Sequence, residues 1–134
     1  MSQENVEILR RSIEAFNRGD WEGVVAEFSP EFEYVSTGAL PGARGVARGP
    51  DGYREYLLGW LVREFADSRV ELHEVIDLGD RVVEASTNRG RGRQSGAEVA
   101  WDIWIVWSFR DGQVVHGRGF TSRAEALEAV GLSE

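Results

Sequence analysis

Apolar residues recur at helical spacing over residues 4 to 17, where Val6, Leu9, Ile13 and Phe16 form one stripe. "NRGD" follows, with Gly19 as a stop and Asp20 as the next cap. A second, short helix presents Trp21, Val24, Val25 and Phe28, and Pro30 ends it. "FEYVST" then alternates as a strand does, with Phe32, Tyr34 and Ser36 on one face and Glu33, Val35 and Thr37 on the other. Residues 38 to 50, rich in Gly and Pro, read as a loop. Asp51 then caps a third helix carrying a broad stripe of Tyr53, Tyr56, Leu57, Trp60, Leu61 and Phe65.

From Arg69 the period changes to two, and "RVELHEVIDLGDRVVEASTN" predicts a hairpin turning at Gly79 and Asp80. Residues 98 to 109 are rich in β-branched side chains, and "RDGQ" turns them back into "VVHGRGFT". "SRAE" at 122 to 125 is a capping box for a last helix through Ala124, Leu127 and Val130, ended by Gly131. The order ααβαββββα predicts an α+β domain with helices on a curved antiparallel or mixed sheet.

The stretch "WDIWIVWSF" spaces three tryptophans as a helix stripe would, yet its composition makes it a strand. Trp101, Ile103, Ile105 and Trp107 therefore share one face, and Asp102, Trp104, Val106 and Ser108 the other. The first face packs on the helices. The second needs cover, which points to a homodimer through Trp104, Val106, His116 and Arg118, with Asp102 paired to Arg118.

A length of 134 residues fits one domain spanning 1–134, enough to bury roughly two thirds of the unfolded surface. Fifteen Lys and Arg against 23 Asp and Glu give a net charge of −8, which disfavours nucleic acid and anionic membranes as partners. The chain has no cysteine, so no disulfide or thiolate chemistry is available. The charged N-terminal stretch and the lack of a long apolar run point to a cytoplasmic protein.

"AFNRGDWEGVVAEFSPEFEY", "GPDGYREYL" and "SFRDGQVVHGRGFTSRAEALEAVGL", in this order, resemble the SnoaL-like branch of the nuclear transport factor 2-like superfamily over nearly the whole chain. The resemblance implies a conical, cystatin-like α+β fold with an interior pocket, usually dimeric. Relatives include ketosteroid isomerases, limonene epoxide hydrolases and polyketide cyclases. Their catalytic sets do not carry over. The isomerase tyrosine and two aspartates match Ser12, Ser36 and Ile105, and the epoxide hydrolase Asp, Arg, Asp trio matches Asn88, Ser86 and Gly119. The cyclase acid also falls on Gly119, while the hydrolase tyrosine that holds the attacking water matches Tyr34. Steroid isomerase and epoxide hydrolase activities are therefore not expected.

The same matching turns Tyr34, Ser36, Ser86, Asn88, Trp101, Ile103 and Gly119 toward the pocket, with Trp60 as a wall, and strand parity adds Glu84. Glu84 is then a candidate general base if apolar walls raise its pKa, with Tyr34 or Asn88 donating a hydrogen bond to developing charge. The competing reading places Glu84 at the rim, solvated or paired with Arg69. Gly117 and Gly119 leave space on the last strand, which a ligand or the tryptophans themselves would fill. His73 and His116 lack metal-ligand spacing, Ser95 lacks a nucleophile elbow, and "NRGRGRQSG" opens no helix to cradle a phosphate. No cofactor or metal is expected. Two functions remain open: binding of a small, largely apolar molecule, or isomerase, cyclase or hydratase chemistry through Glu84, Tyr34 and Asn88.

Overall fold

The computed structural model describes residues 2–37 and 44–132. Helix α1 (Ser2–Asn17) ends in a left-handed Gly19, φ 74°, and the amides of Gly19 and Asp20 close on the carbonyls of Phe16 and Ala15. The Asp20 carboxylate then accepts from the Gly23 amide at 2.9 Å and starts α2 (Trp21–Val24). That helix stops before Pro30. Strand β1 (Phe28–Thr37) already contains the proline, where the register against its neighbour shifts between Phe28 and Glu33. A residue without an N–H is tolerated at such an irregularity.

Of the loop expected over residues 38 to 50, residues 38–43 lie outside the described ones, and Arg44–Arg48 form strand β2. This strand pairs antiparallel with β1, Val46 opposite Val35, and satisfies a backbone edge that β1 would otherwise leave open. Helix α3 (Gly49–Tyr56) widens into a π-helical turn over Leu57–Val62. The rest of the chain follows the pattern of alternation: β3 (Phe65–Asp77), β4 (Arg81–Gly92), β5 (Glu98–Arg110), β6 (Gln113–Phe120) and helix α4 (Arg123–Ala129).

The six strands form one mixed sheet in the order β2-β1-β6-β5-β4-β3, with β1 and β6 parallel and the other pairs antiparallel. On its inner face, α1, α2 and α3 enclose the main core, which includes Leu9, Phe16, Phe32, Tyr53, Leu61, Ile103 and Trp107. Asn17 ties the end of α1 to edge strand β3, exchanging both hydrogen bonds with the Val70 backbone at 2.8 and 2.9 Å. On the outer face α4 packs Ala126 and Val130 onto Val83, Val106 and Phe120. Part of the face that called for a partner is thus covered by the chain's own last helix. No helix among the described residues is long and apolar enough to cross a membrane.

Candidate functional site

Strand parity on β4 points Val82, Glu84, Ser86 and Asn88 inward, and β5 lies antiparallel beside them with Glu84 opposite Ile105 and Val82 opposite Trp107. The diagonal neighbour of Glu84 is therefore Trp107. Its Nε1–H donates to Glu84 Oε1 at 2.8 Å, and the Ser86 hydroxyl donates to Oε2 at 2.6 Å. Glu84 is only 3% exposed, and no salt bridge among the described residues includes it. Burial pushes its pKa above the usual carboxylate range, against the pull of the Ser86 and Trp107 hydrogen bonds.

The carboxyl group faces a cavity of about 60 Å³ under α1, whose wall includes Ser12, Tyr34, Tyr53, Tyr56, Asn88, Ile103 and Trp107. That is several times the roughly 10–15 Å³ a single water needs and below the ~300 Å³ at which pockets for drug-sized molecules begin. The three tyrosines form one cluster, with ring centroids 5.2 to 5.9 Å apart. Burial first, then neighbouring tyrosines and Glu84, holds the Tyr34 hydroxyl well above its ordinary pKa, and Tyr53 likewise. Tyr56 is pushed up to about 12 by burial, opposed by the nearby Ser36 side chain, although its hydroxyl makes no well-formed hydrogen bond. These phenols stay protonated and can only donate or accept hydrogen bonds. Glu84 is the one carboxyl among the lining side chains, and burial raises its hold on a proton.

Residues 9–117 match the SnoaL-like domain family. The chain belongs to the SnoaL-like family. Its fold is that of the nuclear transport factor 2-like proteins. One of these, of unknown function, from Burkholderia pseudomallei, superposes with a TM-score of 0.79 at 25% identity, covering 96% of this chain and 98% of that one. TerC, co-crystallised with polyporic acid, superposes at 0.78 with 25% identity over 93% and 96% of the two chains. A SnoaL-like polyketide cyclase from Jannaschia gives 0.76 at 22% identity over 96% and 90%. No curated protein matches the sequence.

In this SnoaL-like domain the cavity brings together Tyr34, Glu84, Asn88 and Ile103. Ser86 acts behind the wall, as the donor to Glu84. Trp60 and Trp101 stand further along the sheet around Phe65, with ring centroids 5.8 and 5.3 Å from it, and wall the core there instead of the cavity. The Trp101 Nε1 is buried without a hydrogen-bond partner. Ser36 lies opposite Gly45 on β2, and Gly119 is buried opposite Ile105. Gly117 leaves no vacant space: a Cβ there would come within 2.7 Å of the Trp107 ring and 2.9 Å of the Tyr34 ring. Trp107 is the site residue that sequence reasoning missed. Parity had put it on the correct face, but only the β4–β5 register sets its indole beside Glu84.

On the outer face Val106 is buried beneath α4, Trp104 and His116 are half-buried, and Arg118 is exposed with its guanidinium 5.3 Å from the Phe120 ring centre. Asp102 does not reach Arg118, which sits opposite Val106; it accepts instead from Thr87, its direct neighbour on β4, at 2.7 Å. The Thr87 hydroxyl has one proton to give, so it accepts from His73 Nε2 at 2.6 Å.

Proposed function

We propose that this SnoaL-like protein holds a small, largely apolar molecule in its interior cavity, with Glu84 as the polar anchor. The observation that carries the reading is the Glu84 carboxyl itself, buried, without a salt bridge, and aimed into an aromatic-walled space. A filled core gains nothing from such a group, since burying a carboxyl is costly whether it stays ionised without a counter-charge or is held in its acid form. TerC, similar in fold and crystallised with polyporic acid, supports ligand binding in this architecture. The test is a thermal-shift screen of small hydrophobic metabolites, followed by titration of the hits while observing the Trp107 indole N–H by nitrogen–proton NMR. A true ligand moves that resonance saturably and stabilises the fold by about 2.7 kcal/mol at a hundred times its Kd. Hits that leave Trp107 unmoved would place binding elsewhere and refute the reading.

A second reading has Glu84 move a proton, and its raised pKa favours it. Glu84 would take a proton from a carbon acid while Tyr34 or Asn88 donates a hydrogen bond to the oxygen that gains charge. Exchange of the ligand's acidic hydrogen with deuterated water, abolished by Glu84→Gln, is the expected sign. Binding without exchange leaves the first reading alone.

A further inference from the structure

We propose that the cavity selects a small methylated ammonium cation, held against Glu84 among Tyr34, Tyr53, Tyr56 and Trp107. The inference rests on the reading that the cavity binds a ligand and names that ligand's chemical class.

Charge comes first. Both Glu84 oxygens bond only to neutral donors, and the side chains lining the cavity include no Lys, Arg or His. Burial without a counter-charge disfavours the ionised carboxyl; a positive ligand would supply that counter-charge and draw the carboxyl into its ionised form, whereas an anion would gain no such partner. The chain's net charge of −8 adds an attractive field for cations.

The wall decides which kind of cation. Three phenol rings and an indole line the space, and the negative faces of such rings attract organic cations, most strongly when water is excluded. Away from Glu84, Asn88 and the phenol oxygens, much of the remaining lining is aliphatic, as with Leu57, Leu61 and Ile103, and the Ser12 hydroxyl donates to the Val24 carbonyl at 2.7 Å. A primary ammonium is compact and strongly hydrated, and would turn N–H donors toward the aromatic faces and aliphatic side chains as well as toward the acceptors. A methylated ammonium presents apolar methyl groups and spreads its charge over them. The cavity, several times the space of one water and far below that of a drug-sized pocket, limits the ligand to a small group.

Tetramethylammonium and tert-butanol, similar in shape but differing in charge, provide the test on the intact protein at constant ionic strength. Calorimetric titration should show saturable tetramethylammonium binding at least about tenfold tighter than tert-butanol, with the Trp107 indole resonance shifting in step. Glu84→Gln should erase that preference, and Tyr56→Leu should weaken the cation more than the alcohol. Equal or tighter binding of tert-butanol would overturn the cation proposal and leave the binding reading standing. Saturable binding of neither would overturn the cation proposal, and the binding reading then stands or falls with the metabolite screen. The comparison of the two probes on the unmodified chain decides even if the Glu84 variant does not fold.

Discussion

One methyl group added at Gly117 would sit 2.7 Å from Trp107 Cζ3 and 2.9 Å from Tyr34 Cδ1, closer than van der Waals contact allows. Gly117→Ala is therefore expected to cost roughly 1–3 kcal/mol in urea unfolding. It should also disturb the Trp107–Glu84 hydrogen bond, since the indole is the group that must move. Trp107→Phe removes that donor and leaves Glu84 Oε1 unpaired, a loss of about 1–3 kcal/mol. The sign of the pH effect at Glu84 follows from its raised pKa. At low pH the carboxyl is protonated in folded and unfolded chains alike. As pH rises past the ordinary value of 4.5 the unfolded chain releases its proton first, so stability is lost until the pH passes the folded value. Glu84→Gln has no proton to lose, and its stability relative to wild type should rise with pH across that window. Urea melts at stepped pH check this, and a difference that stays flat would mean that Glu84 is not held in its acid form by burial.

At the scale of the element, the π-helical turn Leu57–Val62 turns Leu57 and Leu61 into the core and leaves Gly59 exposed, with nothing within 4 Å of a Cβ built there. Gly59→Ala should stabilise the fold by about 0.4–1 kcal/mol, read as a rise in Tm, because it restricts only the unfolded chain. That turn was not visible in the sequence, where Tyr53, Tyr56, Leu57, Trp60 and Leu61 spell an ordinary helix. Signals of short range were legible. The Ser122 hydroxyl accepts from the Glu125 amide at 3.2 Å, and Asp111 and Gly112 turn with φ of 52° and 76°, as "SRAE" and "RDGQ" predict. Strand β2 was not, because "RGVAR" has no alternation of its own and becomes a strand through pairing with β1. The candidate site divides along the same line. The family resemblance points Asn88 and Ile103 inward and parity adds Glu84, whereas the Glu84–Trp107 bond depends on register between two strands.

For the molecule as a whole, α4 already covers Val106, so a homodimer, which we propose on the outer face, would have to form beside that helix around Trp104, His116 and Arg118. Light scattering on protein eluting from gel filtration should give twice the chain mass, and Trp104→Asp should halve it; a monomer at micromolar concentration overturns the dimer. The parallel pairing of β1 with β6 carries a different consequence, one of time. Tyr34 finds its neighbour Gly117 only after nearly all the intervening chain has been made and arranged. Closing so long a loop before its contacts can form is slow, which predicts refolding in milliseconds to seconds instead of microseconds. The N-terminal half must wait meanwhile with the β6 side of β1 unpaired, so a chain stalled before β6 is expected to aggregate or to occupy a chaperone.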